Sequence, residues 1–467
     1  MKLVLEHIHY VYMIGAGGIG MSALGRYFLN KGCRVAGYDK TPSPLTERLI
    51  REGMEIHFED DPIKIPVDFK KASRDEVLVI YTPAIPGDHQ ELSYFRTASY
   101  HILKRAEVLG ILTAGTFNIS VAGAHGKTTT TAFTAHIFSE AGRSPMAFLG
   151  GLLSGKESNF IPGNGSLTIT EADEYDRSFL HLEPSVAVVT ALEPDHLDVY
   201  GSEEKLVSAY QEFVSRIRRG GRLVASMQAW HALQGKSLSL PSGVETITYG
   251  LEAEADYRIT EISGSSFVLN GPSLPSTRFT LPMPGRHNAL NAAAATIVAL
   301  GEDIEVAAIE KALAKFPGLR RRLEKITAIP GLVYYDDYAH HPTELEACIE
   351  ALRQVDPQAQ LTGIFQPHLY SRTRDFAEGF ARALDALDTV ILMPIYAARE
   401  EPIPGVSASL IFENMKNPRK YMAGHSEVIP LLEQLNPSGI LATLGAGDID
   451  RLVEPIRRWM NMRKTAL

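Results

Sequence analysis

Cysteine is almost missing from this chain, which holds two, Cys33 and Cys348, in 467 residues. Two thiols make neither a disulfide framework nor a thiolate metal centre, so a stapled secreted scaffold is excluded and a reducing compartment is expected. Long apolar runs are missing as well. The opening MKLVLEHIHYVYM is interrupted by Glu6, His7 and His9, unlike the core of a signal peptide. The apolar stretch over residues 292–300 contains Thr296 and stops far short of the ~20 residues that cross a bilayer. There is no excess of positive charge: 46 Lys and Arg face 55 Asp and Glu, a net −9, which argues against a general affinity for nucleic acid. Fixed-period repeats and low-complexity tracts are absent, which excludes solenoids and propellers. These absences together lead us to expect a cytoplasmic protein with no nucleic-acid and no membrane partner; a monomer or a homodimer is expected, and no feature of the sequence chooses between them.

Apolar residues at 45% and charged residues at 22% fit an ordinary globular chain, and at roughly 150 residues per domain the length suggests about three domains. One pattern recurs three times: a short apolar strand, a Gly-rich or polar turn, then a helix. It occurs in HIHYVYMIGAGGIGMSALGRYFLNKG, FNISVAGAHGKTTTTAFTAHIFSEAG and LTGIFQPHLYSRTRDFAEGFARAL. That is the signature of parallel α/β sheets, and three starts predict three sheets. Further buried strands are expected in EVLVIYTPA, SLTITEADE, VAVVTAL, LVYYDDYAH and TVILMPIYAA. The pattern restarts after residues 105–115 and again after 315–318, giving domains 1–107, 108–315 and 316–467. A Ser-rich stretch, 235–276, with runs such as TITYG, reads as a small antiparallel excursion within the middle domain.

Gly15, Ala16, Gly17, Gly18, Ile19 and Gly20 form G-x-G-x-x-G between a strand and a helix, and Asp39 ends the next strand. Such glycines let the backbone approach a diphosphate at a helix N-terminus, while the aspartate is placed to accept from a ribose hydroxyl. An NAD-type cofactor and a UDP-sugar both present that diphosphate. Gly123, Ala124, His125, Gly126, Lys127 and Thr128, followed by Thr129, join another strand to another helix. Val121 stands where full Walker spacing has glycine, so this is a shortened phosphate loop. Its backbone N–H groups and Lys127 are expected to hold β- and γ-phosphates, and the Thr128 hydroxyl to reach Mg²⁺. Glu171, Asp173 and Glu174 end one strand, and Asp195 and His196 follow another. Beside a phosphate loop these oxygen donors suit a Mg²⁺ site.

Asn288 and Asn291 share a helical face after His287, where they either read a base edge or cap the helix. Arg320, Arg321 and Arg322 make a small basic cluster, from which one guanidinium could reach a γ-phosphate if the third domain closed over the second. Asp336, Asp337, His340 and His341 end one strand, and His368 and Arg372 follow the next, lining a cleft suited to an amino acid or a ribose. Adjacent histidines lack zinc-ligand spacing.

Taken together, IGAGGIGMSALG, AGAHGKTTTT, EADEYDRSFLHLEP, EPDHLDVYGS, GRHNALNA, GLRRRLE, DDYAHHPTE, FQPHLYSRTRD and REEPIPG resemble the Mur ligases of peptidoglycan assembly. The resemblance covers almost the whole chain, and AGAHGKTTTT and DDYAHHP are its specific motifs. It implies an N-terminal Rossmann-like UDP-sugar domain holding Gly15 to Gly20 and Asp39, a central P-loop ATPase and a Rossmann-like C-terminal domain. It also implies, for the alanine-adding member, that the lactyl carboxylate of UDP-N-acetylmuramate takes a phosphoryl group from ATP and that L-alanine then attacks the acyl phosphate. Carried over by motif, Lys127 binds phosphate, Thr128 and Glu171 bind one Mg²⁺ (or Mn²⁺), and His196 with Glu171 binds a second. His287, Asn288 and Asn291 then lie at the ATP base, Arg322 at the γ-phosphate, Asp337 at the ribose, and His340 and Arg372 at the alanine. Two positions depart from the family's pattern: Leu369 stands where a second arginine is common, and Ala191 where asparagine is. Competing expectations are a relative that recycles a tripeptide onto the same UDP-sugar, an NAD-dependent oxidoreductase, and a generic P-loop ATPase. The oxidoreductase leaves the second glycine loop unused, and the ATPase leaves the first.

Overall fold

A computed structural model describes residues 5–193, 197–235, 238–398 and 400–466. Among them the strands form three sheets, with helices following most parallel strands. The expected α/β class is the observed one. The first sheet contains β1 (Tyr10–Ile14), β2 (Arg34–Tyr38), β3 (Glu55–His57), β4 (Val77–Tyr81) and β5 (His101–Lys104), in the order β3-β2-β1-β4-β5. All its pairings are parallel, and the order reverses at β1, so the turn after β1 opens beside the crevice where such sheets bind ligands.

The second sheet is built around β6 (Phe117–Ala122). Its next strands are β7 (Met146–Phe148), β8 (Phe160–Ile161), β9 (Leu167–Glu171), β10 (Val186–Val189), β11 (Arg222–Ser226) and β12 (Glu245–Gly250), in the order β12-β11-β10-β6-β9-β7-β8, and three more strands continue the sheet beyond β12. β10 and β9 flank β6 in parallel, with Val189 level with Ala122 and Glu171 level with Val121. Two neighbouring strand ends therefore open onto the turn after β6. One expectation needs correcting: TITYG lies in β12, which pairs in parallel with β11 from Arg222↔Glu245 to Ser226↔Tyr249. Its alternating Thr and Tyr resemble a half-exposed ribbon, but its last three residues are buried. The three strands beyond β12 are β13 (Tyr257–Ser263), β14 (Ser266–Gly271) and β15 (Leu274–Thr280), and β13 also pairs in parallel, with Tyr249 level with Tyr257.

The third sheet has β16 (Glu324–Ile329), β17 (Leu332–Asp337), β18 (Leu361–Phe365), β19 (Thr389–Leu392), β20 (Lys420–Met422) and β21 (Gly439–Leu444), in the order β16-β17-β21-β18-β19-β20. Only β16 is antiparallel to its neighbour.

The chain divides into two compact units. One comprises Met1–Ile259, Leu269–Thr277 and Asn291–Leu313, and therefore holds the first sheet and the second sheet through β12. One apolar core joins Val11, Met13, Leu24 and Phe28 to Phe148, Phe160, Val189 and Phe213, and a second gathers Tyr12, Phe69, Val79 and Phe95 at the first sheet. The other comprises Thr260–Val268, Arg278–Leu290 and Ala314–Leu467, with the third sheet packed around Tyr334, Ile364, Ile391, Leu441 and Trp459.

Candidate active site

The turn after β1 is shaped for a close approach. Gly15 has φ +89°, and a Cβ on Gly17 would lie 2.7 Å from Thr46 Cγ2 and 2.9 Å from Asp39 Oδ2. Only glycine fits there. Gly18 caps the helix Ile19–Asn30 in extended conformation with no side-chain cap, which leaves its first N–H groups for an anion. Asp39 at the end of β2 serves the turn itself. Its Oδ2 accepts from Gly17 N at 2.7 Å and its Oδ1 from Thr41 N at 3.2 Å. Behind this turn, Tyr12 Oη donates to Glu91 Oε2 and lies 2.8 Å from His57 Nε2. Burial pushes the Glu91 carboxyl up to about 7.

The turn after β6 carries the second glycine loop. Gly123 has φ +138° and Gly126, which caps the helix Lys127–Glu140, has φ +82°. Both lie in the left-handed region, which glycine enters at no steric cost. The loop is pinned by β10: Ala124 N donates to Ala191 O at 2.9 Å, and Thr190 Oγ1 donates to the His125 carbonyl. Because Ala191 serves through its backbone, its departure from asparagine leaves this contact intact. A Cβ on Gly126 would meet the side-chain amide of Asn291, so Asn291 lies against the phosphate loop.

Lys127 lies mostly buried beneath the loop. Its Nζ donates to Gly123 O at 2.6 Å and reaches Glu174 Oε1 at 2.7 Å, and Glu174 is itself buried. Burial alone would lower the lysine's pKa, but the joined pull of Glu174, Glu171 and Asp173 outweighs it and keeps the ammonium charged. Burial raises the Glu174 carboxyl to about 7 against the pull of Lys127. Glu171, level with Val121 on the neighbouring strand, accepts from Gly150 N at 3.0 Å through Oε2. Thr128 and Thr129 begin the helix and are buried. The donors beside the loop are thus hydroxyl and carboxylate oxygens, a set that suits a hard divalent cation completed by phosphate oxygens. Asp195 and His196 lie outside the described residues. Among those described, no three His, Cys, Asp or Glu side chains gather as a metal cluster.

The second compact unit brings together His287, Arg322, Asp337 and Tyr338. Burial, aided by the Arg322 charge, lowers His287 to about 4, and the Arg322 guanidinium lies 5.3 Å from the Tyr338 ring. Asp337 ends β17 with both oxygens engaged, Oδ2 by Leu323 N at 2.6 Å and Oδ1 by Ala339 N at 2.8 Å. Asn288 donates back to Pro284 O at 2.7 Å, so its side chain braces its own helix start. His340 Nδ1 lies 2.9 Å from the Tyr338 carbonyl and 3.1 Å from Glu344 Oε2. Since a carbonyl only accepts, Nδ1 carries the hydrogen. The His340 ring meets His368 edge-on at 5.9 Å, and His368 stacks on Tyr396 at 5.8 Å. Leu369 caps the helix Tyr370–Leu384 at φ +71°, and Arg372 sits half-buried in that helix's first turn.

Family models match in succession along the chain: the Mur ligase family catalytic domain at 10–116, the Mur ligase middle domain at 121–299 and the Mur ligase glutamate ligase domain at 321–447. The chain belongs to the Mur ligase family. It is 42% identical over 462 residues to the UDP-N-acetylmuramate–L-alanine ligase of Cytophaga hutchinsonii, covering 97% of both chains. It is 43% identical over 456 residues to that of Porphyromonas gingivalis, covering 96% of this chain and 98% of the other. The crystal structure of UDP-N-acetylmuramate-alanine ligase from Thermotoga maritima has the same fold, with TM-score 0.81, 24% identity, and 98% and 100% of the two chains covered.

In this Mur ligase the parts played by two residues of consequence escaped sequence reading. Glu174 was visible in EADE, but its pairing with Lys127 spans 47 positions and has no local signal. Asn159 sits in a Gly- and Ser-rich segment without periodicity, and its fully buried side chain is tied to the helix that starts at Ile19.

Proposed function

We propose that this Mur ligase joins L-alanine to the lactyl carboxylate of UDP-N-acetylmuramate at the expense of ATP, in the cytoplasm. The full-length identity of 42% to an alanine ligase over 97% of both chains carries the reading. Residues 1–107 are assigned to the UDP-sugar, 108–315 to ATP, and 316–467 to the amino acid and nucleotide.

The reaction takes two displacements. A lactyl carboxylate oxygen attacks the γ-phosphorus, ADP departs and an acyl phosphate forms. The alanine amine then attacks the acyl carbon, loses a proton, and phosphate leaves. Phosphoryl transfer of this kind is governed by positioning and by charge stabilisation.

Each of the chain's residues has a part. The uncapped N-terminus after Gly18 holds the diphosphate, with Gly15, Gly17, Ile19 and Gly20 shaping the approach, while Asp39 keeps the turn closed on Gly17. Gly123, Ala124, His125 and Gly126 present backbone N–H groups to ATP, and Lys127 exchanges Glu174 for phosphate oxygens. Thr128 and Glu171 would hold one Mg²⁺ (or Mn²⁺), and Glu171 with His196 a second. When bound, the cation offsets phosphate charge. Arg322 is assigned to the γ-phosphate, Asp337 to the ribose, and His287, Asn288 and Asn291 to the base. Arg372 pairs with the alanine carboxylate, for which its planar fork is suited, and His340 stands near the amine.

The test is phosphate release with Mg²⁺, ATP, UDP-N-acetylmuramate and L-alanine, each left out in turn. Release that needs all of them supports the reading. Release with the tripeptide in place of alanine, and not with alanine, refutes it.

A further inference from the structure

Between β7 and β8 the chain leaves the second sheet and reaches back to the first. Its last residue before β8, Asn159, is fully buried, and every polar atom of its side chain is used. Nδ2 donates to Ile19 O at 2.6 Å, to Ser22 Oγ at 3.1 Å and to Leu149 O at 3.4 Å. Oδ1 accepts from Arg26 Nη1 at 2.5 Å, and Arg26 is clamped by Glu52 through two bonds of 2.7 and 2.9 Å. Three of these partners, Ile19, Ser22 and Arg26, lie on the helix whose N-terminus faces the diphosphate turn.

The same residue faces the other way through its backbone. Leu149 N donates to Asn159 O at 2.9 Å, and the next residue, Gly150, donates to Glu171 Oε2 at 3.0 Å. Glu171 is level with Val121, one residue before the end of β6 and the phosphate loop. A second tether runs from Arg48 to Glu157, on the same segment, through the side chain and the backbone carbonyl of the glutamate. The first helix of one sheet and the carboxylate beside the other sheet's phosphate loop are therefore joined by a short chain of contacts through Asn159.

We propose that Asn159 is a positioning residue that sets the offset between the diphosphate turn and the phosphate loop. This rests on the reading under Proposed function, in which the UDP-sugar carboxylate must meet the γ-phosphorus. Asn159 touches neither substrate. It holds the helix start that carries one reactant at a fixed distance from the side chain beside the other. A misplacement of about 1 Å between reacting groups costs on the order of 10²-fold in rate. Binding of each substrate alone depends on its own loop and is left intact.

The experiment compares wild type with Asn159→Ala and Asn159→Asp, the second keeping the volume and the Arg26 contact but losing the donor to Ile19. Alanine-dependent kcat, the KM of each substrate, the Kd of ATP and the melting temperature are measured on the full chain. The expected result is a kcat lower by about 10²-fold with the Kd of ATP within about threefold of wild type. Folded variants whose kcat matches wild type overturn the proposal, as does a loss of kcat matched by an equal loss of ATP affinity, which is the mark of a merely structural role. Should both variants fail to fold, Arg48→Ala cuts the second tether at a half-exposed position, and an about fivefold lower kcat with unchanged ATP affinity is expected. An unchanged kcat there overturns the proposal too. If wild type itself fails to ligate alanine, the functional reading falls first; if wild type works and the variants match it, the positioning role alone falls.

Discussion

Lys127 Nζ and Glu174 Oε1 stand 2.7 Å apart in a buried pair beneath the phosphate loop, so the lysine is charged and held in place before any phosphate arrives. The arrangement stores a partner exchange. An incoming triphosphate offers the ammonium more negative charge than one carboxylate does, and Glu174, already raised to about 7, is able to take up a proton when released.

Lys127→Ala is expected to lower kcat/KM by on the order of 10³-fold or more, since the group meets charge that develops on the transferring phosphoryl. Its cost in stability should depend on pH. Without the ammonium, Glu174 must stay neutral inside the fold while the unfolded chain releases the proton, so stability falls as pH rises through and beyond about 7. The melting-temperature gap between wild type and variant should widen from about pH 6 to about pH 8.5. A gap that narrows contradicts the pairing.

Gly126→Ala places a side chain at φ +82° and against the amide of Asn291. The backbone strain alone is of order 1–2 kcal/mol, so the loop must distort. ATP affinity should fall at least tenfold by titration calorimetry, while Gly142→Ala, also at positive φ but with open space around it, should leave ATP affinity unchanged.

Arg372→Ala tests the amino-acid end. It should raise the KM for alanine far more than that for ATP, because a bidentate carboxylate contact belongs to one substrate only. The effect on the KM for alanine should exceed tenfold. Equal changes in both KM values would refute the assignment.

Glu91 offers a second pH prediction. Burial raises its carboxyl from 4.5 to about 7, so the folded chain keeps a proton over that window that the unfolded chain gives up. Its stabilising share is complete below the ordinary carboxylate range and declines as pH rises to about 7. Glu91→Gln cannot titrate but still accepts from Tyr12. The stability of wild type relative to this variant, read by denaturant titration, should fall between about pH 5 and about pH 8 and stay flat above.

Local chemistry made the three-sheet architecture and the glycine loops legible. A strand, a turn with glycines at fixed offsets and a helix are written in one stretch of chain, as after Ile14 and after Ala122. Strand ends were legible for the same reason: Glu171, Asp337 and His340 stand where an apolar run stops. Long-range pairings were not. Glu174 pairs with a lysine 47 positions away, and Asn159 meets Ile19 across 140. TITYG misled because alternation alone does not distinguish an edge ribbon from a strand inside a parallel sheet. Asp39, read as a ribose acceptor, is found closing its own turn on Gly17, a use that spacing alone does not show.

The most direct measurement is phosphate release by the purified chain with Mg²⁺, ATP, UDP-N-acetylmuramate and L-alanine, omitting each component and then replacing alanine by the tripeptide. The account predicts release only when all are present, with alanine as the amine. Release with ATP alone, or with the tripeptide and not alanine, would contradict it.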